Sequence, residues 1–288
     1  MPFPKISVVT PSFNQGQFLE QTILSVIGQN YPNLEYFIMD GGSEDRSVDI
    51  IKKYEDHLTF WQSKPDKGQA DAINQGFKRA TGDIFCWLNS DDYYQPGTFQ
   101  RVAQLFGDGT DKILVGNCMH FFQDNNQPAF GSRVEKHSDF SILSYYDPII
   151  QPSSFWSAKV WEQVGSLDEE LHFVFDWQWF YRAWSIGIPF ETCHDYFSCY
   201  RIHESHKSGS GGDKRQDEIY KFIRQNGGPS LAEGYKYISR NLKAINKSER
   251  WIWRMRLSPL KTPLMNFFHG PLKKLTIEQY QLLKVLAS

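Results

Sequence analysis

Residues 6–42 read "ISVVTPSFNQGQFLEQTILSVIGQNYPNLEYFIMDGG", and how this stretch folds decides the architecture. "ISVVT" (6–10) and "EYFIM" (35–39) are short, apolar and rich in β-branched or aromatic residues, the signature of buried strands. Between them Phe18, Leu19, Ile23 and Val26 fall on one side of a helix over 17–28. Strand, helix, strand predicts a parallel pair joined by a right-handed crossover.

The pattern recurs outward from there. "LTFWQ" (58–62) and "IFCWL" (84–88) are further strands, with helices over 45–54 and 69–80. Repetition of this unit predicts an α/β fold with a mixed, mainly parallel sheet flanked by helices. Beyond residue 112 the character changes. "ILVGNCMHFFQ" and "QPAFGSRV" are strand-like without a long helix between them, so a mixed region is expected from 112 to 135. Helices fit 158–164 and 175–186, and "FETCHDYFSCYRI" (190–202) is again a strand. "SHKSGSGGDK" (205–214) has the composition of a flexible loop, and the chain beyond it is helical in pattern. We therefore expect one domain over 1–213 and a helical C-terminal appendage over 214–288.

Composition narrows the function classes. With 288 residues, 40% hydrophobic and 22% charged, the chain can bury a large core. A net charge of −2 gives it no general attraction for nucleic acid, so none is expected as a partner. No apolar run approaches the ~20 residues of a membrane-spanning helix. The opening "MPFPKISVVTPSF" carries one Lys and leads straight into a strand, which is not a secretory pattern. Cys86, Cys118, Cys193 and Cys199 show no CxxC spacing, which suits free thiols in a reducing, cytoplasmic setting.

In a parallel sheet, ligands bind beyond the carboxyl ends of the strands. The residues just after each strand are therefore informative. After the first comes "PSFNQG", with Pro11, Phe13 and Asn14; after the second, "DGGSED", led by Asp40. The third is followed by "SKPDKGQADAINQG", with Asp66, Lys67 and Asp71, and the fourth by "NSDD", Asn89 to Asp92. Each cluster alone could be a turn or a helix start. Four of them on one sheet edge make a site. Asp91 and Asp92 repel one another unless positive charge lies beside them. A divalent cation with oxygen ligands, Mn²⁺ or Mg²⁺, would supply it; capping of the following helix is the other reading of the pair.

The runs at 6–51 and "KPDKGQADAINQGFKRATGDIFCWLNSDD" (64–92) resemble the family 2 glycosyltransferases of GT-A fold, and the similarity extends over about residues 5 to 205. That resemblance implies a nucleotide-sugar donor, with a uridine diphosphate as the default, and a divalent metal held by an Asp-x-Asp-like element. It implies that Pro11, Phe13 and Asn14 line the nucleotide pocket, that Asp40 contacts the base, and that Lys67, Asp71 and Asn89 add polar contacts. Asp91 would lie near the ribose and diphosphate, and Asp92 would bind the metal. The chain departs from the family pattern at Asn89, where an Asp is usual. In "VFDWQWFYRA", Asp176 falls where the family places its general base, on the acceptor side with Trp156 and Trp177. Phe155 and Trp179 belong to the same aromatic cluster, in which core packing is expected for at least half. The flanking aromatics would partly desolvate Asp176 and lift its pKa toward working pH. Gln178 stands where relatives carry a second acid. His203 fits the place of a histidine that joins metal or diphosphate, with His206 its rival, and Lys207 with the Gly/Ser run could close over the donor.

The chemistry so implied is inverting transfer of a sugar to a hydroxyl on a saccharide or lipid-linked acceptor, of the kind used in bacterial surface polysaccharide or glycolipid assembly. Two alternatives stay open: a nucleotidyltransferase, although "TPSFNQGQF" lacks the usual cation in its first loop, and a non-catalytic nucleotide-sugar-binding protein. The stretch "ERWIWRMRLSPLKTPLMNFFHGPLKK" (249–274) holds six Lys/Arg against one Glu, interleaved with aromatics. It suits peripheral contact with an anionic membrane, or packing of a helical appendage on its own core.

Overall fold

The computed structural model describes residues 3–123, 127–137, 139–204, 207 and 211–287. The chain forms two compact units, one of residues 1–140 and 148–206, the other of 141–147 and 207–288.

The first unit is built on one nine-stranded sheet. In chain order it comprises β1 (Ile6–Ser12), α1 (Leu19–Ile27), β2 (Leu34–Asp40), α2 (Ser47–Lys53), β3 (Phe60–Ser63), α3 (Gln69–Phe77), β4 (Ile84–Trp87), β5 (Tyr93–Tyr94) and α4 (Thr98–Leu105). It continues with β6 (Ile113–Phe122), β7 (Phe130–Gly131), β8 (Ser154–Ser157), α5 (Ala158–Val164), α6 (Phe175–Ser185) and β9 (Phe190–Ile202). The strand order is β3-β2-β1-β4-β8-β6-β9-β5, with β7 paired to β6. β3, β2, β1 and β4 run parallel, β8 is antiparallel to both its neighbours, and β6 and β9 are parallel to each other. The expected mixed, mainly parallel sheet with flanking helices is what forms.

Strand periodicity sorts the core into two layers. Ile6, Val8, Ile38, Ile84 and Cys86 face Leu19, Ile23 and Val26 of α1, Ile50 and Ile51 of α2, and Phe99 and Val102 of α4. The other face is aromatic. Phe77 stacks on Phe85 at 5.1 Å, Trp87 meets Trp156 at 5.1 Å, and Trp156 meets Trp179 of α6 at 4.8 Å. Helix α3 lies so close to the sheet that a Cβ on Gly76 would stand 2.5 Å from Val9 Cγ1.

Two differences from the sequence reading concern short strands. β8 and β5, four and two residues long, were not anticipated, and the strand expected over 127–134 contracts to Phe130–Gly131. The loop expected at 205–214 falls partly outside the described residues.

The second unit is helical: α7 (Gly212–Asn226), α8 (Pro229–Arg254), α9 (Lys261–Phe268) and α10 (Ile277–Leu286). Ile238, Ile245 and Ile252 recur every seventh residue along α8 and are buried. Glu249 is tied to Tyr280 at 2.9 Å, to Lys261 at 3.0 Å, and to Lys284. Among the described residues no helix is long and apolar enough to cross a membrane.

Candidate active site

The parallel strands deliver their loops to one edge. Pairing register sets Ser12, Asp40 and Ser63 side by side at the carboxyl ends of β1, β2 and β3. Asp40 is buried, and its two oxygens accept from Gly42 N (3.1 Å), Ser43 N (2.9 Å), Ser43 Oγ (2.6 Å) and Ser63 Oγ (2.6 Å). It therefore shapes the loop after β2. That loop is cross-tied to the one after β1: Asn14 N donates to Ser43 Oγ (2.7 Å), Glu44 N to Asn14 Oδ1 (2.9 Å), and Gly16 N to Asp45 Oδ2 (2.8 Å). Asn14 holds a left-handed φ of 51°, a conformation that asparagine tolerates better than most residues. Pro11 is buried within β1, whereas Phe13 lies 61% exposed beside this edge. Ser12 Oγ is buried with no hydrogen-bond partner, a polar atom that the fold itself does not use.

The loop after β3 brings a second acidic group. Asp66 is half-buried, accepts from Gly68 N at 2.8 Å, and sits against Gly41, whose Cβ position lies 2.9 Å from Asp66 Oδ2. Burial raises its carboxyl above the usual range, with the charges of Asp71 and Asp40 adding to the effect. Asp71 lies in the first turn of α3 and accepts from Lys67 N (3.0 Å) and Gln75 Nε2 (2.9 Å). Lys67 is largely exposed and pairs with Glu169 at 3.1 Å.

The aspartate pair that follows β4 divides into two unlike groups. Asp92 is 1% exposed; its Oδ1 accepts from Arg201 N (3.0 Å) and its Oδ2 from Asn89 Nδ2 (3.4 Å). Burial pushes its carboxyl well above the usual range, reinforced by neighbouring Asp91. Asp91 is the more open of the two, and its Oδ2 lies 3.1 Å from His203 Nε2. Asp92, the expected metal ligand, has both oxygens engaged inside the fold, and Asp91 is the more open carboxylate of the two.

Arg201 went unrecognised as a site residue. Its Nε donates to Asp91 O at 2.9 Å, its backbone N to Asp92, and its guanidinium to Gln21 and Gln123. The rings of Phe18 and Phe121 lie 4.6 and 4.8 Å from it, and Phe18 is also 4.6 Å from the His203 ring. The fixed guanidinium of Arg201 beside the two aspartates offsets their repulsion. The only sequence signal was an Arg two residues before the selected His in "YRIHE".

Asp176, the expected general base, lies half-buried in the first turn of α6. Its Oδ1 accepts from Trp177 N at 2.8 Å. Phe175 stands 6.4 Å from Trp87, which brings the start of α6 alongside the end of β4. The loop preceding α6 is pinned to α3 by a reciprocal pair, Asn74 Nδ2 to Leu167 O and Leu167 N to Asn74 Oδ1, both 3.0 Å. Trp156 and Phe155 have no exposed surface, and Trp177 and Trp179 are buried. Trp156 and Trp177, expected on the acceptor side, are both buried in the core. His206 lies outside the described residues.

Among the described residues no group of three His, Cys, Asp or Glu side chains converges as a metal site. The donor set that does form is Asp91 Oδ2 with His203 Nε2. A carboxylate oxygen and an imidazole nitrogen 3.1 Å apart are donors of the kind a divalent cation accepts, with phosphate and water completing its shell.

In α/β sheets of this kind, ligands bind beyond the carboxyl ends of the parallel strands, where these loops gather. The chain matches the model of "Glycosyl transferase family 2" over residues 7–161. An uncharacterized glycosyltransferase of Mycobacterium tuberculosis is 31% identical over 192 residues, 65% of this chain and 71% of the relative. Another from Nostoc is 35% identical over 231 residues, covering 74% and 70%. In fold, the chain is similar to S. aureus TarS 1-349 in complex with UDP-GlcNAc, with a TM-score of 0.62 at 16% identity over 98% of this chain and 90% of that one. A mannosyltransferase of Pyrobaculum calidifontis, in complex with GDP-Man and Mn²⁺, gives 0.62 at 16% identity over 99% and 86%. The protein belongs to glycosyl transferase family 2 and is a glycosyltransferase, with the GT-A fold that its sequence leads one to expect.

Proposed function

We propose that the enzyme transfers a sugar from a nucleotide-sugar, in the first instance a UDP-sugar, to a hydroxyl of a saccharide or lipid-linked acceptor, with inversion at the anomeric carbon. The observation that carries this reading is the gathering of Ser12, Asp40, Asp66 and the Asp91–His203 pair at the carboxyl edge of parallel strands. Complexes of similarly folded enzymes with UDP-GlcNAc and with GDP-Man and Mn²⁺ support a donor of this class.

In this reading Phe13 offers its ring to the nucleobase, and Asp66 and the orphan hydroxyl of Ser12 offer it polar contacts. Asp91 and His203 would hold Mn²⁺ or Mg²⁺, which when bound offsets charge growing on the departing diphosphate. Asp176 takes the proton of the acceptor hydroxyl. The freed oxygen forms a bond to the anomeric carbon from the face opposite the diphosphate. As the carbon–phosphate-oxygen bond breaks, its electron pair leaves with the nucleoside diphosphate. One displacement inverts the centre.

The test is Asp176→Asn. It should lower transfer by about 10²–10⁴-fold, the range expected for a lost general base, while donor binding stays within twofold of the unmodified enzyme by thermal shift across a donor panel. Parallel loss of binding and transfer would remove the base assignment.

A further inference from the structure

The helical unit carries a surface that glycosyl transfer does not explain. Trp251 at the end of α8 meets Phe268 of α9 at 5.9 Å, and Phe268 meets Phe267 at 5.6 Å, forming a continuous aromatic ridge. Phe267 is 81% exposed and Trp253 77%, with Met255 and Leu260 also open. Single exposed apolar residues are ordinary, but linked rings standing this far into water indicate something that covers them.

Charge identifies the cover. Over residues 249–274 there are six Lys/Arg and one Glu. That Glu249 is already engaged by Lys261, Lys284 and Tyr280. Arg250, Arg254, Arg256, Lys273 and Lys274 enter no ion pair among the described residues. Exposed cations in the same stretch of chain as exposed Trp and Phe complement a surface that is anionic at its face and apolar a few ångströms below. Indole and phenyl rings settle at the acyl boundary while arginine and lysine stay with headgroup phosphates. Nucleic acid offers phosphate without the apolar layer.

We infer that the ridge Trp251–Phe268–Phe267, with Trp253 and the arginines and lysines of the same stretch, is a docking surface for an anionic lipid bilayer. The inference is independent of which sugar is transferred.

The test is flotation of the full chain with vesicles of phosphatidylcholine alone and with 30 mole per cent (about a third) phosphatidylglycerol, a proportion that gives a strongly negative surface. Binding is expected to the anionic vesicles and to fall as salt rises. Arg250→Gln with Arg254→Gln should weaken partition by about fivefold per charge removed. Trp253→Ala with Phe267→Ala should weaken it at least tenfold, with far-ultraviolet dichroism and melting unchanged because both rings are exposed. Absence of binding to anionic vesicles at low salt would overturn the inference. So would equal binding to neutral vesicles, self-association in solution that the ring substitutions abolish, or preferential capture of single-stranded RNA over anionic vesicles.

Discussion

Asp66 shows how the cleft sets the chemistry of single residues. Burial, then Asp71 and Asp40, lift its carboxyl above the ordinary aspartate value of 3.8. A raised carboxyl keeps its proton in the folded state after the unfolded chain has released it. Its contribution to stability is therefore complete at low pH and declines as pH climbs from the ordinary value through the raised one. Denaturant titrations across that window should show Asp66→Asn gaining on the unmodified enzyme as pH rises; a constant difference would mean that Asp66 titrates normally. Asp40, Asp66, Asp71, Asp91 and Asp92 could be singled out because each follows a parallel strand in sequence, whereas Asp176 and His203 were pointed to by the family resemblance. Arg201 was not, since its partners Asp91 and Asp92 lie more than a hundred residues away along the chain. The unequal fates of Asp91 and Asp92 were equally hidden, because adjacency in sequence says nothing of which carboxylate turns inward.

At the scale of elements, strands and helices with apolar periodicity were readable and short pieces were not. β1, β2, α5 and β9 emerge at or within two residues of where their patterns placed them. A strand of two or four residues, such as β5 or β8, offers no period to detect. β8 exists because β4 and β6 flank the gap that it fills. It also explains the high aromatic share, since Phe155 and Trp156 point to opposite core layers. The loop before α6 depends on Asn74, whose amide satisfies both backbone groups of Leu167. Asn74→Ala leaves a buried N–H and C=O without partners and should cost about 2–3 kcal/mol in urea unfolding. A loss under ~0.5 kcal/mol would show that water or a neighbour replaces the amide.

For the whole molecule, the decisive feature is that the boundary between units is not a single point in the chain. Residues 141–147 belong with 207–288, and Gly227 packs so closely on them that a Cβ there would stand 2.8 Å from Ser144 O. A cut placed by composition alone, near 213, misses this return. A chain ending at 206 would leave 141–147 without its partners and should melt at least about 5 °C below the full chain. An unchanged melting temperature would show that this segment contributes nothing to stability. Calorimetric titration of a nucleoside diphosphate, with and without Mn²⁺, tests the central claim most directly. Metal-dependent binding is predicted for the unmodified enzyme and for Asp176→Asn, and its loss for Asp91→Asn. Binding that ignores Mn²⁺ and survives Asp91→Asn unchanged would contradict the account.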